Sequence, residues 1–214
     1  MTSRIQAEGR TAPFGKVEQN QQNQLRLLQD GSLSVSQGLP PLAELARARV
    51  LYGCNNGSAL GLGDVEAIPT TTASYALYNA SATKHAVVIK IAATATTVTA
   101  APEFALIAGL SPTAQASAET KYANSLALAI TPGSPAPESY LTDAVTLAGT
   151  PLWMTIAKGE TATGLLGSAA VAWVNGMFIV PPSFALGIDV LGSAGTTPLW
   201  DVDVLWAELD LTLG

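Results

Sequence analysis

The sequence is poor in charge. Asp, Glu, Lys and Arg make up 12% of its 214 residues, about half the ~25% of an average globular chain. A single cysteine, Cys54, excludes an intrachain disulfide framework and any cysteine-based zinc site. A single histidine, His85, excludes a multi-histidine metal centre. Ten basic against sixteen acidic residues leave a net charge of −6, so the whole-molecule basic footprint of a nucleic-acid binder is missing. Long uninterrupted apolar runs are missing too. Residues 161–188 carry no charge, but Asn175-Gly176 and Pro181-Pro182 cut the stretch and Ser168 and Ser183 add polarity. A membrane-spanning helix needs about 20 largely unbroken apolar residues, so two buried strands joined by turns account for it better. Residues 1–10, MTSRIQAEGR, hold no apolar h-region, and no secretory signal is expected. Without one, the N-x-S sequons at Asn56 and Asn79 carry no glycosylation meaning.

What remains divides into two regions. Residues 1–50 hold six of the ten basic residues and four acids; the rest hold four bases and twelve acids. The first region is also Gln/Asn-rich, and Gly38-Leu39-Pro40-Pro41 interrupts any helix or central strand. The division predicted is an N-terminal arm over 1–46 and a domain over 47–214. Within the arm, LRLLQ-DG-SLSVS places Asp30-Gly31 between two alternating runs, as a type I′ hairpin requires. Period-two spacing puts Leu25, Leu27, Leu33 and Val35 on one face. A lone hairpin is marginal in water, so this one needs a surface, on its own domain or on a neighbour.

The domain reads as strands. Thr, Val and Ile are interleaved with the alanines, and Gly and Pro recur too often for long helices. Strands are predicted over 48–54, 74–79, 84–93, 96–100, 103–108, 122–130, 140–147, 152–157, 169–174, 177–180, 184–191 and 202–211. Alternation puts His85, Val87, Ile89 and Ile91 on one face, and Phe184, Leu186, Ile188 and Val190 on another. In the last strand Val202, Val204 and Trp206 are followed by Leu209 and Leu211. That phase slip predicts a β-bulge near 205–208. Long connections are expected over 109–121 and 131–138. Short strands with turn punctuation, and no amphipathic helices between them, point to a sandwich or barrel rather than βαβ units; the fold expected is an all-β antiparallel sandwich, jelly-roll-like.

No motif spells out a reaction. Gly57, Gly61 and Gly63 in NNGSALGLGD lack the spacing and helix context of a phosphate loop and read as a turn. His85 has no recognisable triad partners and reads as an ordinary half-buried strand residue. Asp201 and Asp203 share a face and could bind Ca²⁺, but alternation with Val202 and Val204 already explains them as a solvated face. Trp153 and Trp173 lie in apolar strands and are expected to be buried. Trp200 follows the loop sequence GSAGTTPL and is expected to contact a partner. Cys54 reads as a small buried hydrophobe. No catalytic, cofactor or metal residue is assigned.

Several of these segments carry a resemblance: the arm hairpin QDGSLSVS with ARVLYGCNNG, the strand ALYNASATKHAVVIKIAAT, the pair MFIVPPSFALGIDV and the final DVDVLWAEL. Across roughly 25–54, 74–93 and 177–209 the chain resembles small virion proteins of tailed bacteriophages that decorate capsids or form head or tail accessories. The resemblance implies a non-enzymatic β-sandwich subunit, assembled as a symmetric oligomer, often a trimer, and a homotrimer is the assembly expected here. Its partner would be the major capsid protein or another virion protein, with no cofactor, nucleic acid or membrane. It would be made in the host cytoplasm and end in the virion. The surface contacts expected for that role are Leu25, Leu27, Leu33, Val35 and Trp200. Two other functions compete. One is a carbohydrate-binding sandwich using exposed aromatics, with Ca²⁺ near Asp201; the other is a hydrolase with an unrecognised carboxylate pair.

Overall fold

A computed structural model of the chain describes residues 6–7, 23–24, 41–55, 61–97, 103–112, 124–125, 138–160, 169–192 and 198–211. Leu25, Leu27, Leu33 and Val35, with the Asp30-Gly31 turn, lie outside them, as does Gly57. Two short strands, β1 (Gln6–Ala7) and β2 (Asn23–Gln24), pair antiparallel. A helix, α1 (Pro41–Arg47), stands at the end of the predicted arm, where no element was expected. Pro41 opens it, at the position where its missing N–H costs nothing. Arg49, at φ 60, closes it: Arg49 N–H donates to Ala46 O and Val50 N–H to Leu45 O, the pairing of a left-handed helix end.

Twelve strands follow: β3 (Leu51–Asn55), β4 (Leu62–Gly63), β5 (Thr72–Asn79), β6 (His85–Thr97), β7 (Glu103–Ser111), β8 (Asn124–Ser125), β9 (Ser139–Thr146), β10 (Met154–Glu160), β11 (Ala169–Trp173), β12 (Ile179–Val180), β13 (Ala185–Gly192) and β14 (Leu199–Leu209). Their pairings are antiparallel and build an all-β sandwich of two sheets. One runs β10-β7-β13-β5-β9; the other runs β11-β6-β14-β3-β8, with β12 also on β6 and β4 on β14. Successive strands change sheet repeatedly, so the two inner faces form one core. Tyr52, Leu77, Val88, Ile91, Phe104, Leu106, Leu141, Leu186, Ile188, Trp200, Val202 and Trp206 fill it.

Two corrections concern β6 and β7. The strand predicted over 84–93 and the start of the one predicted over 96–100 are one thirteen-residue strand, His85–Thr97; 98–100 lie outside the described residues. Its inward residues are Ala86 and Val88, then Ile91, Ala93 and Ala95, so His85 and Val87 do not share the core face with Ile91. The cause is the register with β14: Leu205 pairs Lys90 and Trp206 pairs Val88, leaving Ile89 as an extra residue. The bulge expected near 205–208 thus falls at the predicted level, but the inserted residue belongs to β6. A second shift leaves Thr96 between Ala95 and Thr97, opposite Trp200 and Leu199. β7 continues to Ser111, into the span expected as a connection from 109.

Both outer faces are partly covered. Ile89 packs with Leu45, Leu51 and Ala207 beneath α1, and Leu42, Ala46, Val50, Leu205 and Leu209 pack against that cluster. On the other sheet Leu147 and half-buried Trp153 cover Ala73, Ala185 and Gly187. A Cβ on Gly187 would lie 2.8 Å from Trp153 Cη2, so the glycine is what lets the indole come this close to the sheet. Trp153 is anchored there by its Nε1–H, which donates to Pro69 O at 2.8 Å.

Candidate functional site

The residues singled out in the sequence are scattered rather than gathered. Trp200 is not a surface contact: it has no exposed area and packs 4.3 Å, centroid to centroid, from Phe104. The reason is that β14 starts at Leu199, so Trp200 is the first inward residue of the row that continues with Val202, Val204 and Trp206. Its carbonyl accepts the Tyr75 hydroxyl, and that hydroxyl accepts Leu62 N–H at 2.9 Å. Gly61, at φ 72, passes so close to Trp200 that a Cβ would sit 2.3 Å from its carbonyl oxygen. That close approach, not phosphate binding, accounts for this glycine.

Cys54 is buried, which pushes its thiol up to about 12, and its Sγ donates to Asn55 O. It holds no thiolate at neutral pH. Asp201 and Asp203 face outward from β14, but they are half-buried rather than solvated. Burial raises both carboxyls, Asp203 against the pull of Lys90, and Asp201 Oδ1 is enclosed without a hydrogen-bond partner. His85 opens β6 opposite Leu209 and likewise keeps a buried, unpartnered Nδ1. Among the described residues no cluster of three or more His, Cys, Asp or Glu is placed to hold a metal ion.

Two features were not legible beforehand. The first is an apolar edge. Trp173, expected to be buried, is 57% exposed, and Val171 and Met177 are 50% and 62% exposed. β11 is the last strand in its sheet's order. Its even residues Ala170 and Ala172 enter the core, so Val171 and Trp173 point out. Lys90, the register partner of Trp173, holds its ammonium 6.0 Å from the indole centroid. All three apolar residues lie within the charge-free stretch 161–188.

The second is a cleft of about 350 Å³. After β4 the chain crosses to the other sheet, where Val65 N–H donates to Val190 O and Gly192 N–H donates to Val65 O. Val65 thereby runs beside β13 where the β5 ladder has stopped, at the Ile188–Tyr75 pair. The gap between this crossing and the start of β5 is the cleft. Leu62, Val65 and Ala73 give it apolar walls, Thr72 and Ser74 add hydroxyls, and Asp189 lines it from β13. Asp189 is fully buried. Its Oδ1 accepts Ser74 N–H at 2.9 Å, while Oδ2 is enclosed without a partner. Burial raises this carboxyl to about 6, against the lowering effect of Ser74.

Comparison with known proteins adds nothing to this geometry: no family model, curated protein or solved structure matches the chain. No helix among the described residues is long and apolar enough to cross a membrane.

Proposed function

We propose that the chain is a structural, non-enzymatic virion protein of a tailed bacteriophage: a jelly-roll sandwich that self-associates, as a trimer, and decorates or stabilises the capsid. The observation that carries this reading is that Val171, Trp173 and Met177 are all exposed on a stretch, 161–188, that carries no charge of its own. Edge strands of chains that stay single are guarded by charge, proline or covering segments, and interface cores are depleted in charge and enriched in Trp and Met. Strand order supports the jelly-roll form. β3-β14-β6-β11 opposes β5-β13-β7-β10, with β9 added beyond β5. In chain order these eight strands trace two interlocked four-stranded units, the pattern common to capsid and lectin domains.

The test is particle composition. Mass spectrometry of purified phage particles from the encoding genome should find the chain in stoichiometric amount, with capsid and tail genes beside its own. Its absence from particles overturns the reading. A second reading, a carbohydrate-binding module, draws on the same exposed Trp173, since Trp200 is not available for it. Quenching of Trp173 fluorescence by oligosaccharides at millimolar concentration would favour that alternative.

A further inference from the structure

We propose that the cleft beside β13 binds a cationic side chain, a lysine or arginine presented by a partner protein, with Asp189 as its counter-ion. Three observations converge. Asp189 is fully buried, and its Oδ2 has no hydrogen-bond partner. A buried polar atom left in this way calls for an explanation, and Oδ1, already committed to Ser74, shows that half of the carboxylate explains the local fold while the other half does not. The cleft is open and about 350 Å³ in volume, room enough for a side chain. Its walls are mixed in the way a long basic side chain is mixed: Leu62, Val65 and Ala73 offer apolar surface to a methylene stem, and the charged head would meet the enclosed carboxylate as the wall over Oδ2 moves aside. No basic residue is among those lining it, so the chain itself supplies no counter-ion from the described lining. A neutral hydroxyl from a sugar would also satisfy Oδ2, but only a cation adds the attraction of an opposite charge to the buried carboxylate.

The experiment uses the full chain at pH 8 and follows amide resonances by NMR. The probe is n-butylguanidinium, and n-butylurea is its neutral counterpart. Ser74 N–H, bonded to the carboxylate, is the reporter. The guanidinium probe is expected to shift Ser74 and bind about tenfold tighter than the urea, because it alone carries a charge opposite to the carboxylate. Asp189→Asn, which keeps an oxygen for Ser74, should erase that preference. Equal binding of the two probes, no movement of Ser74, or a preference that survives Asp189→Asn would overturn the proposal. The urea comparison needs no substitution and so holds even if the variant fails to fold. The same titration on a chain carrying Arg4→Gln, Arg10→Gln, Lys16→Gln and Arg26→Gln separates the sources of the side chain. Tighter probe binding there marks the chain's own basic region as the competitor, and unchanged binding points to a separate protein.

Discussion

Single buried groups set how this protein responds to pH. The Asp189 carboxyl, raised from 3.8 to about 6 by burial, favours its neutral form in the folded state. At neutral pH its charge therefore works against folding. As pH falls from about 6 toward 3.8, the folded chain takes up a proton that the unfolded chain does not yet bind, and stability rises; below 3.8 both states are protonated and the gain is constant. The interval is worth at most about 3 kcal/mol. Asp189→Asn removes the charge but leaves an amide to be satisfied, so a net gain of about 1–2 kcal/mol is expected at pH 7.5 and none at pH 4. Urea denaturation at the two pH values checks this; destabilisation at both would contradict it. The tryptophans show how far such residues could be read in advance. The Val202–Val204–Trp206 alternation, carried back one step, places Trp200 inside; the preceding GSAGTTPL loop concealed that. Trp173 was beyond reach. AAVAW is apolar on both faces, and only its place at the sheet edge leaves one of them bare.

At the scale of elements, the sheets were largely legible and their phase was not. Strands such as 184–191 kept the predicted inward face because Phe184, Leu186, Ile188 and Val190 alternate with small or polar residues. HAVVIKIAATATT offers apolar residues on both faces, so nothing in it reveals the extra residue at Ile89; that comes from pairing with β14. Helix α1 did leave a signal, since Leu42, Leu45 and Ala46 have helical spacing behind a helix-opening proline. Leu45 is buried on Leu51, Ile89 and Ala207. Leu45→Ala is therefore expected to cost about 2 kcal/mol, at the low end for a core truncation because the site lies under a short helix. A chain starting at Pro41 should match that of the full chain in stability, whereas one starting at Ala48 should lose more than the single substitution. Thermal melts of the three chains decide it. Equal stability of the Ala48 chain and the full chain would remove α1 from the fold's account.

For the whole molecule, the balance of charge is the feature that matters most. The acids and bases are few, and the stretch 161–188 has none, so β11 and the turn after it bring no charge of their own to a surface where Lys90 is the charge over Trp173. Burying Trp173, a residue 57% exposed, on a partner would make the kind of central aromatic contact that dominates binding energy. The measurement that tests this most directly is light scattering on the full chain and on Trp173→Lys at micromolar concentration. The full chain should scatter at about three times its 21.9 kDa mass, and Trp173→Lys should fall to a folded monomer with an unchanged circular dichroism spectrum. A full chain that stays at 21.9 kDa at every concentration, or a Trp173→Lys chain that still assembles, would contradict the account.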